Sequence, residues 1–359
     1  MTEQQVYLGN PNLKRANVAQ SWTKEQLQEY QSCMEDPLYF IQNYVRIVSL
    51  DEGLVPFKMY DFQKEMVGTF HNNRFTICKL PRQSGKSTTI ISYLLHYVLF
   101  NDSVNVAILA NKAATARDLL GRLQLAYEHL PKWLQQGVMS WNKGSLELEN
   151  GSKILASSTS ASAVRGGSYN MIFLDEFAFV PTNVAEDFFS SVYPTISSGK
   201  STKVIIVSTP NGMNLFYKLW VDAENGRNSY NIIDVHWSEV PGRDEKWKTE
   251  TIANTSKEQF QREFECEFLG SSNTLIHSAK IKSMAFLNPI QSNAGLDMYE
   301  KPKEGATYVI VADVSRGTNN DYSAFVVFDV STVPYKIVAK YRNNEIKPLL
   351  FPNIIYDVA

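Results

Sequence analysis

Two short segments contain residues whose types and spacing could do chemistry on a nucleotide. The first, Leu80–Ser87, ends in Gly-Lys-Ser, the sequence of a phosphate-binding loop. In such a loop, backbone N–H groups and the lysine surround a polyphosphate, and the serine hydroxyl binds Mg²⁺. The second is the apolar run Met171–Leu174, followed directly by Asp175 and Glu176. Together they predict ATP hydrolysis, with Asp175 and Ser87 on Mg²⁺ and Glu176 polarising the attacking water.

The phosphate-binding segment departs from the usual pattern, because Leu80 stands where the loop commonly has its first glycine. A predicted strand, residues 74–80, precedes the loop, and a predicted helix running to about Phe100 follows it, as phosphate binding requires. Arg82 can bind phosphate oxygens through its guanidinium, or it can be a surface arginine. We expect the nucleotide to be bound by Arg82, Gln83, Ser84, Gly85, Lys86, Ser87 and Asp175.

Composition limits the class of protein. The chain has 359 residues, of which 44% are hydrophobic, so it can form a large core. Its three cysteines have no paired spacing, which argues against zinc and for a reducing compartment. No segment has the pattern of a signal peptide or a membrane span. A formal net charge of −2 gives no support for nucleic-acid binding, and solvated surface is the better interpretation of the basic clusters at 14–15 and 243–248.

Short β-branched runs alternate with helical stretches, which predicts an α/β fold with a parallel sheet covered by helices on both faces. Asn150-Gly151, between two apolar runs, predicts a β-hairpin. We divide the chain into an N-terminal helical segment (1–55), a P-loop core (56–225), a lid or regulatory subdomain (226–285), a polar linker (286–304) and the start of a second domain (305–359).

Over nearly its whole length, the sequence resembles the terminase large subunits of tailed phages, specifically the T-even-like group. The resemblance is specific because it combines the two nucleotide motifs with several further segments. The matching segments are Gly9–Asn17, Arg82–Ser87, Trp141–Ser145, Ala163–Gly166, Asp175-Glu176 and Ser208–Gly212.

The resemblance implies an ATPase of the P-loop, ASCE type that packages DNA. Asp175 is then the Walker B aspartate and Glu176 the catalytic carboxylate. Gln63 matches a glutamine that recognises adenine, whose edge needs the donor and the acceptor of an amide; a polar residue at a helix start is the alternative. Ser208 and Thr209 fall on a coupling motif that relays the state of the γ-phosphate.

Two arginines are implied in catalysis alongside Glu176. Arg82 handles phosphates from within the loop. Arg165 matches an arginine that enters the site of the neighbouring subunit, and its flanking glycines would let the backbone approach closely. The alternative is a loop arginine without a partner.

The second domain is implied to begin an RNase H-like nuclease that cuts concatemeric DNA with Mg²⁺ or Mn²⁺. Asp313 matches its first metal-binding carboxylate, and Asp321 is a candidate for the second; a turn-capping aspartate is the alternative for Asp313. Because the chain stops at Ala359 before the later acidic residues of the family, we expect this nuclease to be incomplete and inactive, and residues beyond about 305 to be the least stable.

The family further implies ATP and Mg²⁺ as cofactors, and double-stranded DNA, a portal protein and a small terminase subunit as partners. We expect a monomer in isolation and a homo-oligomeric ring on the procapsid, in the host bacterial cytoplasm and without a membrane. Two other functions stay open. A helicase would need a second RecA-like domain, which does not follow residue 285, and a silent nucleotide-binding scaffold would not need the base Glu176.

Overall fold

The computed structural model describes residues 5–49, 51–160, 164, 167–268, 287–318 and 321–359. The chain divides into two units, Met1–Ser278 and Ala279–Ala359. None of the helices in the described ranges has the length and apolar character needed to cross a bilayer.

The first unit combines twelve strands with nine α-helices in its described part. The strands are β1 (Val6–Tyr7), β2 (Asn10–Lys14), β3 (Arg46–Ser49), β4 (Gly53–Pro56), β5 (Phe75–Lys79), β6 (Asn105–Ala110), β7 (Val138–Trp141), β8 (Ser145–Leu148), β9 (Lys153–Ser158), β10 (Met171–Asp175), β11 (Lys203–Ser208) and β12 (Asn231–Asp234). The helices are α1 (Lys24–Glu35), α2 (Pro37–Tyr44), α3 (Asp61–Asn72), α4 (Lys86–Phe100), α5 (Ala113–Glu128), α6 (Thr182–Ser198), α7 (Leu215–Glu224), α8 (Glu245–Asn254) and α9 (Lys257–Glu263).

Eight of these strands form one sheet in the order β12-β5-β11-β10-β6-β9-β8-β7. The first six are parallel, and β8 and β7 add an antiparallel edge through the hairpin predicted at Asn150-Gly151. One strand, β11, separates the loop strand β5 from the acidic strand β10, which is the ASCE order. The carboxyl ends of these three strands lie at one edge, where ligands of parallel sheets bind.

Helices cover both faces of the sheet, which confirms the predicted fold class. Central strands alternate between the two layers, as expected for strands buried on both sides. In β5, Cys78 packs into the layer with α3, α4 and α5, whereas Ile77 packs into the layer with α6 and α7. In β10, Phe173 joins the first layer and Ile172 joins the second.

The N-terminal segment is only partly helical, contrary to the prediction for 1–55. Besides α1 and α2 it forms two antiparallel pairs, β1–β2 and β3–β4. The expectation of solvated surface was also wrong for Lys14, which is buried. Its Nζ lies 3.4 Å from Oε1 of Glu149, and the same carboxylate accepts the N–H groups of Gly137 and Asn17. This partly buried carboxylate fixes the N-terminal segment to the β7–β8 edge.

In its described residues, the second unit forms a five-stranded sheet in the order β13-β14-β17-β16-β15, with one helix after it. The bounds are β13 (Gln291–Asn293), β14 (Leu296–Met298), β15 (Tyr308–Asp313), β16 (Ser323–Asp329), β17 (Lys336–Asn343) and α10 (Phe351–Val358). All of its pairings are antiparallel. Its RNase H-like nature stays a prediction.

The polar run that predicted a linker over 286–304 is instead the hairpin β13–β14. Its two turn residues, Ala294 and Gly295, have φ angles of 46° and 89°, the left-handed geometry of a two-residue hairpin turn. A Cβ on Gly295 would lie 2.6 Å from the carbonyl oxygen of Arg342, so glycine lets β14 pair closely with β17. The turn residues therefore mark a hairpin within a sheet and not a linker between domains.

Strand β11 is anchored where it begins. Lys203 donates from its Nζ to the carbonyl oxygens of Phe70, His71 and Asn73, at 2.9, 2.8 and 2.9 Å, at the C-terminal end of α3. A cation there satisfies carbonyls that lack helical partners and complements the helix dipole. The start of β11 is therefore tied to the helix that precedes the phosphate-binding loop.

We predict that Lys203→Met lowers the free energy of unfolding by about 2 kcal/mol, because three carbonyls lose a charged donor in a half-buried position. All six tryptophans lie in the first unit, so urea unfolding followed by tryptophan emission reports on this unit. The control is Lys153→Met, whose exposed ion pair with Glu147 spans 2.9 Å and is expected to contribute less than about 1 kcal/mol. Equal effects of the two substitutions would contradict the anchoring role.

Candidate active site

The phosphate loop, residues 80–85, connects β5 to α4. Two of its residues adopt left-handed backbone angles, Gln83 with φ 55° and Gly85 with φ 75°. Gly85 is the N-cap of α4, whose first residue is Lys86. The free N–H groups at the start of this helix therefore face the loop, as an anion site requires. Gln83 is a non-glycine residue in this region, so the loop stores backbone strain.

Gln63 lies beneath this loop. Its side chain is buried, its Nε2 donates to the carbonyl oxygen of Ser84 at 3.1 Å, and its Oε1 accepts the N–H of Tyr60 at 2.9 Å. A Cβ added to Gly85 would lie 2.6 Å from Nε2, so glycine allows this close packing. In this conformation Gln63 supports the loop, and adenine recognition by it stays a prediction.

Asp175 ends β10 as a buried carboxyl group whose Oδ1 has no hydrogen-bond partner. Burial, with a smaller contribution from neighbouring Glu176, raises its pKa to about 7. A buried, unsatisfied carboxylate oxygen suits a hard cation, which prefers oxygen ligands. The residues present therefore fit Mg²⁺ held by Asp175 and by the hydroxyl of Ser87 in the first turn of α4.

Glu176 connects the phosphate loop to β11. Its Oε1 lies 2.7 Å from Nζ of Lys86. Its Oε2 accepts from the hydroxyl and the N–H of Thr209 at 3.3 and 3.4 Å, and lies 3.4 Å from Oγ of Ser208. Glu176 itself has φ 49° and ψ 43°, a left-handed conformation that is strained for a non-glycine residue.

The coupling residues are held by their own hydrogen bonds. Ser208 ends β11, where its Oγ accepts the N–H of Ala178 at 3.1 Å and donates to the carbonyl oxygen of Thr209 at 2.7 Å. Ala178 lies in the short 3₁₀ helix Phe177–Phe179 that follows Glu176. The ends of β10 and β11 are therefore joined both through the Glu176 carboxylate and through this serine.

Arg82 points toward the predicted lid. Its Nη1 lies 3.2 Å from Oε2 of Glu263. The backbone N–H of Arg82 donates to the Glu263 carbonyl oxygen at 2.9 Å. Arg243 also reaches the loop, donating to the carbonyl oxygens of Arg82 and Gln83 at 2.8 and 3.0 Å. The sequence analysis placed Glu263 within the predicted lid without giving it a role, and it treated Arg243 as solvated surface, which was wrong. A phosphate contact by Arg82 stays a prediction.

Three predicted residues remain, namely Arg165, Asp313 and Asp321. Arg165 lies outside the described residues. Asp313 and Asp321 belong to the second unit and are exposed, and Oδ1 of Asp321 accepts the N–H of Tyr322 at 2.8 Å. Within the described ranges, no group of three or more His, Cys, Asp or Glu residues is arranged to hold a metal ion. Metal binding by Asp313 and Asp321 stays a prediction.

A P-loop fold of the ASCE type, with paired carboxylates beside the loop, defines the class of this protein. The family described as "Terminase large subunit, T4likevirus-type, N-terminal" matches residues 77–283. This is more than half of the chain, which therefore belongs to that family.

Two curated relatives are large terminase subunits. That of Thermus phage G20c is 28% identical over 184 residues, and that of Thermus virus P23-45 is 27% identical over 184 residues. Each match covers 47% of this chain and 36% of the relative. The match thus spans about a third of each relative's length.

Two solved structures share the fold. A mutant ATPase domain of the Thermus phage P74-26 large terminase has a TM-score of 0.50 at 20% identity, covering 59% of this chain and 95% of that one. The HK97 bacteriophage large terminase has a TM-score of 0.58 at 16% identity, covering 85% of this chain and 67% of that one. At these identities the likeness establishes the fold alone.

The raised pKa of Asp175 predicts a pH-dependent stability. Between its unfolded value near 3.8 and about 7, the folded state binds more protons than the unfolded state, so the stability contribution falls as pH rises through this window. With a metal chelator present, the free energy of unfolding of the parent, relative to that of Asp175→Asn, should fall by up to about 4 kcal/mol between pH 4 and 8. Urea unfolding at several pH values measures this, and a pH-independent difference between the two proteins would refute it.

Proposed function

We propose that this chain hydrolyses ATP as the motor part of a machine that moves double-stranded viral DNA into a procapsid. The observation that carries the proposal is the position of Glu176, which contacts the loop lysine Lys86 on one side and Thr209 of the coupling motif on the other. A carboxylate in this position can accept a proton from a water molecule. Its contact with Thr209 can also change with the state of the bound nucleotide. Membership of the terminase family supports DNA packaging as the purpose.

ATP would bind with its phosphates at the N-terminus of α4, within the phosphate loop. Lys86 would exchange its ion pair with Glu176 for one with the phosphates, because the polyphosphate carries more negative charge. The freed Glu176 carboxylate could then accept a proton from the attacking water. Asp175 and Ser87 would hold Mg²⁺, which supplies neutralisation of phosphate charge.

Coupling would begin with the same carboxylate. When Glu176 turns toward water, its bonds to Thr209 must lengthen or break, so the end of β11 loses a partner. β11 lies between β5 and β10, in register with both. A conformational change at the end of β11 can therefore alter both β5, which leads into the phosphate loop, and β10, which leads to the two carboxylates. Arg82 would have to leave Glu263 to bind phosphate, which would also involve the lid.

The wider assembly is proposed from the family alone. We propose a homo-oligomeric ring on the procapsid, with a portal protein and a small terminase subunit as partners, in the host bacterial cytoplasm. In such a ring Arg165 would enter the site of the neighbouring subunit. The second unit would belong to a nuclease that cuts concatemeric DNA with Mg²⁺ or Mn²⁺, through Asp313 and Asp321.

Glu176→Gln should retain ATP binding but lower turnover by about 100-fold or more, because the amide cannot accept the proton of water. Lys86→Ala should lose turnover through weaker phosphate binding. Phosphate release, measured with and without double-stranded DNA, checks both variants. Lys153→Met serves as the control, since its ion pair with Glu147 is remote from the loop in sequence and partly exposed. Parental turnover by Glu176→Gln would show that another group is the base.

Mixed assemblies test the proposed role of Arg165. If this residue completes the neighbouring site, isolated chains should be poor ATPases and activity should rise steeply with concentration. Mixing Arg165→Ala with Lys86→Ala chains should then restore some activity, because an intact pocket can receive an arginine from its neighbour. In an assembly verified by light scattering, absence of recovery at every mixing ratio would argue against action between subunits.

A further inference from the structure

We propose that Arg243 is a positioning residue that sets the phosphate loop in its anion-binding conformation. It belongs to the lid segment, defined here as residues 226–268. Its Nη2 donates to two consecutive loop carbonyl oxygens, those of Arg82 and Gln83, at 2.8 and 3.0 Å. This inference rests on the proposed function, because it assigns Arg243 to the same nucleotide site.

Local sequence fixes the backbone on both sides of Arg243. Val240-Pro241-Gly242-Arg243 forms a type II turn, with Gly242 at φ 84° and the N–H of Arg243 donating to the Val240 carbonyl oxygen at 3.2 Å. Directly afterwards, Asp244 caps α8 by accepting the N–H of Trp247 at 2.8 Å. Arg243 is thus held between a rigid turn and a capped helix.

Aromatic rings then fix the direction of its side chain. The Arg243 guanidinium carbon lies 4.8 Å from the ring centroid of Trp247 and 5.4 Å from that of Phe264. Guanidinium groups stack favourably on aromatic faces, with a larger gain where water is excluded. The planar group is therefore oriented before it meets the loop, so forming its two hydrogen bonds costs little side-chain entropy.

The planar trans peptide bond explains what these bonds achieve. In each peptide unit the C=O of one residue and the N–H of the next point in opposite directions. Arg243 holds the carbonyl groups of Arg82 and Gln83, so the N–H groups of Gln83 and Ser84 point away from it. Successive N–H groups with a shared direction form the nest that binds phosphate. The strained φ of 55° at Gln83 needs such an external restraint.

A second lid contact holds the same stretch. Glu263 accepts the N–H of Arg82 on its carbonyl oxygen and pairs with the Arg82 guanidinium. Arg243 precedes α8 and Glu263 ends α9, and Trp247 of α8 packs against Phe264, directly after Glu263, with ring centroids 5.1 Å apart. Movement of the lid segment would therefore change the loop conformation directly.

Lys246 provides a matched control. It is basic, lies three residues from Arg243, and is exposed, with Glu250 3.9 Å away as its ion-pair partner. Hydrogen exchange of nucleotide-free protein should show the loop amide of Arg82, which donates to the Glu263 carbonyl oxygen, exchanging at least about tenfold faster in Arg243→Ala, and unchanged in Lys246→Ala. This readout needs no nucleotide, so it judges the loop restraint even if the parent proves not to bind ATP, which would overturn the proposed function alone.

Steady-state kinetics supply the second readout. Arg243→Ala should raise KM for ATP about tenfold, with a smaller change in kcat, because pre-organisation for phosphate binding is lost. Arg243→Lys keeps the charge but has no planar fork, so it should fall between parent and Ala. Should Arg243→Ala fail to fold, as judged by tryptophan emission, the same criteria apply to Arg243→Lys. Parental exchange and parental KM in a folded variant would overturn the proposal.

Discussion

The ion pair between Lys86 and Glu176 links the two halves of the nucleotide site. Its nitrogen and oxygen are 2.7 Å apart, with 8% and 26% of the two side chains exposed. Removing one member of a partly buried pair leaves the other charge poorly solvated, so the pair resists loss of a single partner. Glu176 meets Lys86 from a left-handed backbone conformation that costs about 1–3 kcal/mol. Strain of this size persists only when neighbouring contacts hold the residue, and Thr209 supplies them on the other side.

The contacts around the phosphate loop form a closed path through the first unit. Gln63, near the start of α3, supports the phosphate loop from below. The other end of α3 is held by Lys203, the first residue of β11. The far end of β11 leads to Thr209, which contacts Glu176, and Glu176 returns to the loop through Lys86. Because helix and strand are stiff, a change at the loop can reach Glu176 by two routes. This arrangement suits an enzyme in which hydrolysis must be linked to movement.

The sequence predicted the elements around the candidate site where the signal was local. A strand, a Gly-Lys-Ser loop and a helix are adjacent in the chain, and Asp175 and Glu176 directly follow an apolar run, so element order and site edge followed from pattern alone. Partners distant in the chain could not be predicted. Arg82 meets Glu263 across 181 positions, and Arg243 reaches the loop from the turn before α8, 161 positions from Arg82, since pairing over such distances depends on how the elements pack. The Val-Pro-Gly sequence before Arg243 predicts a rigid turn. No neighbouring residue indicates that the Arg243 side chain contacts the phosphate loop.

The central claim is that Glu176 competes with the nucleotide for Lys86. Titration calorimetry with a non-hydrolysable ATP analogue and Mg²⁺ tests this directly, by comparing the dissociation constants of the parent and of Glu176→Gln. Because a neutral amide holds Lys86 less strongly than a carboxylate, the account predicts binding about tenfold tighter in Glu176→Gln than in the parent. Equal or weaker binding by a folded Glu176→Gln would contradict it, because the ion pair would then not oppose the nucleotide.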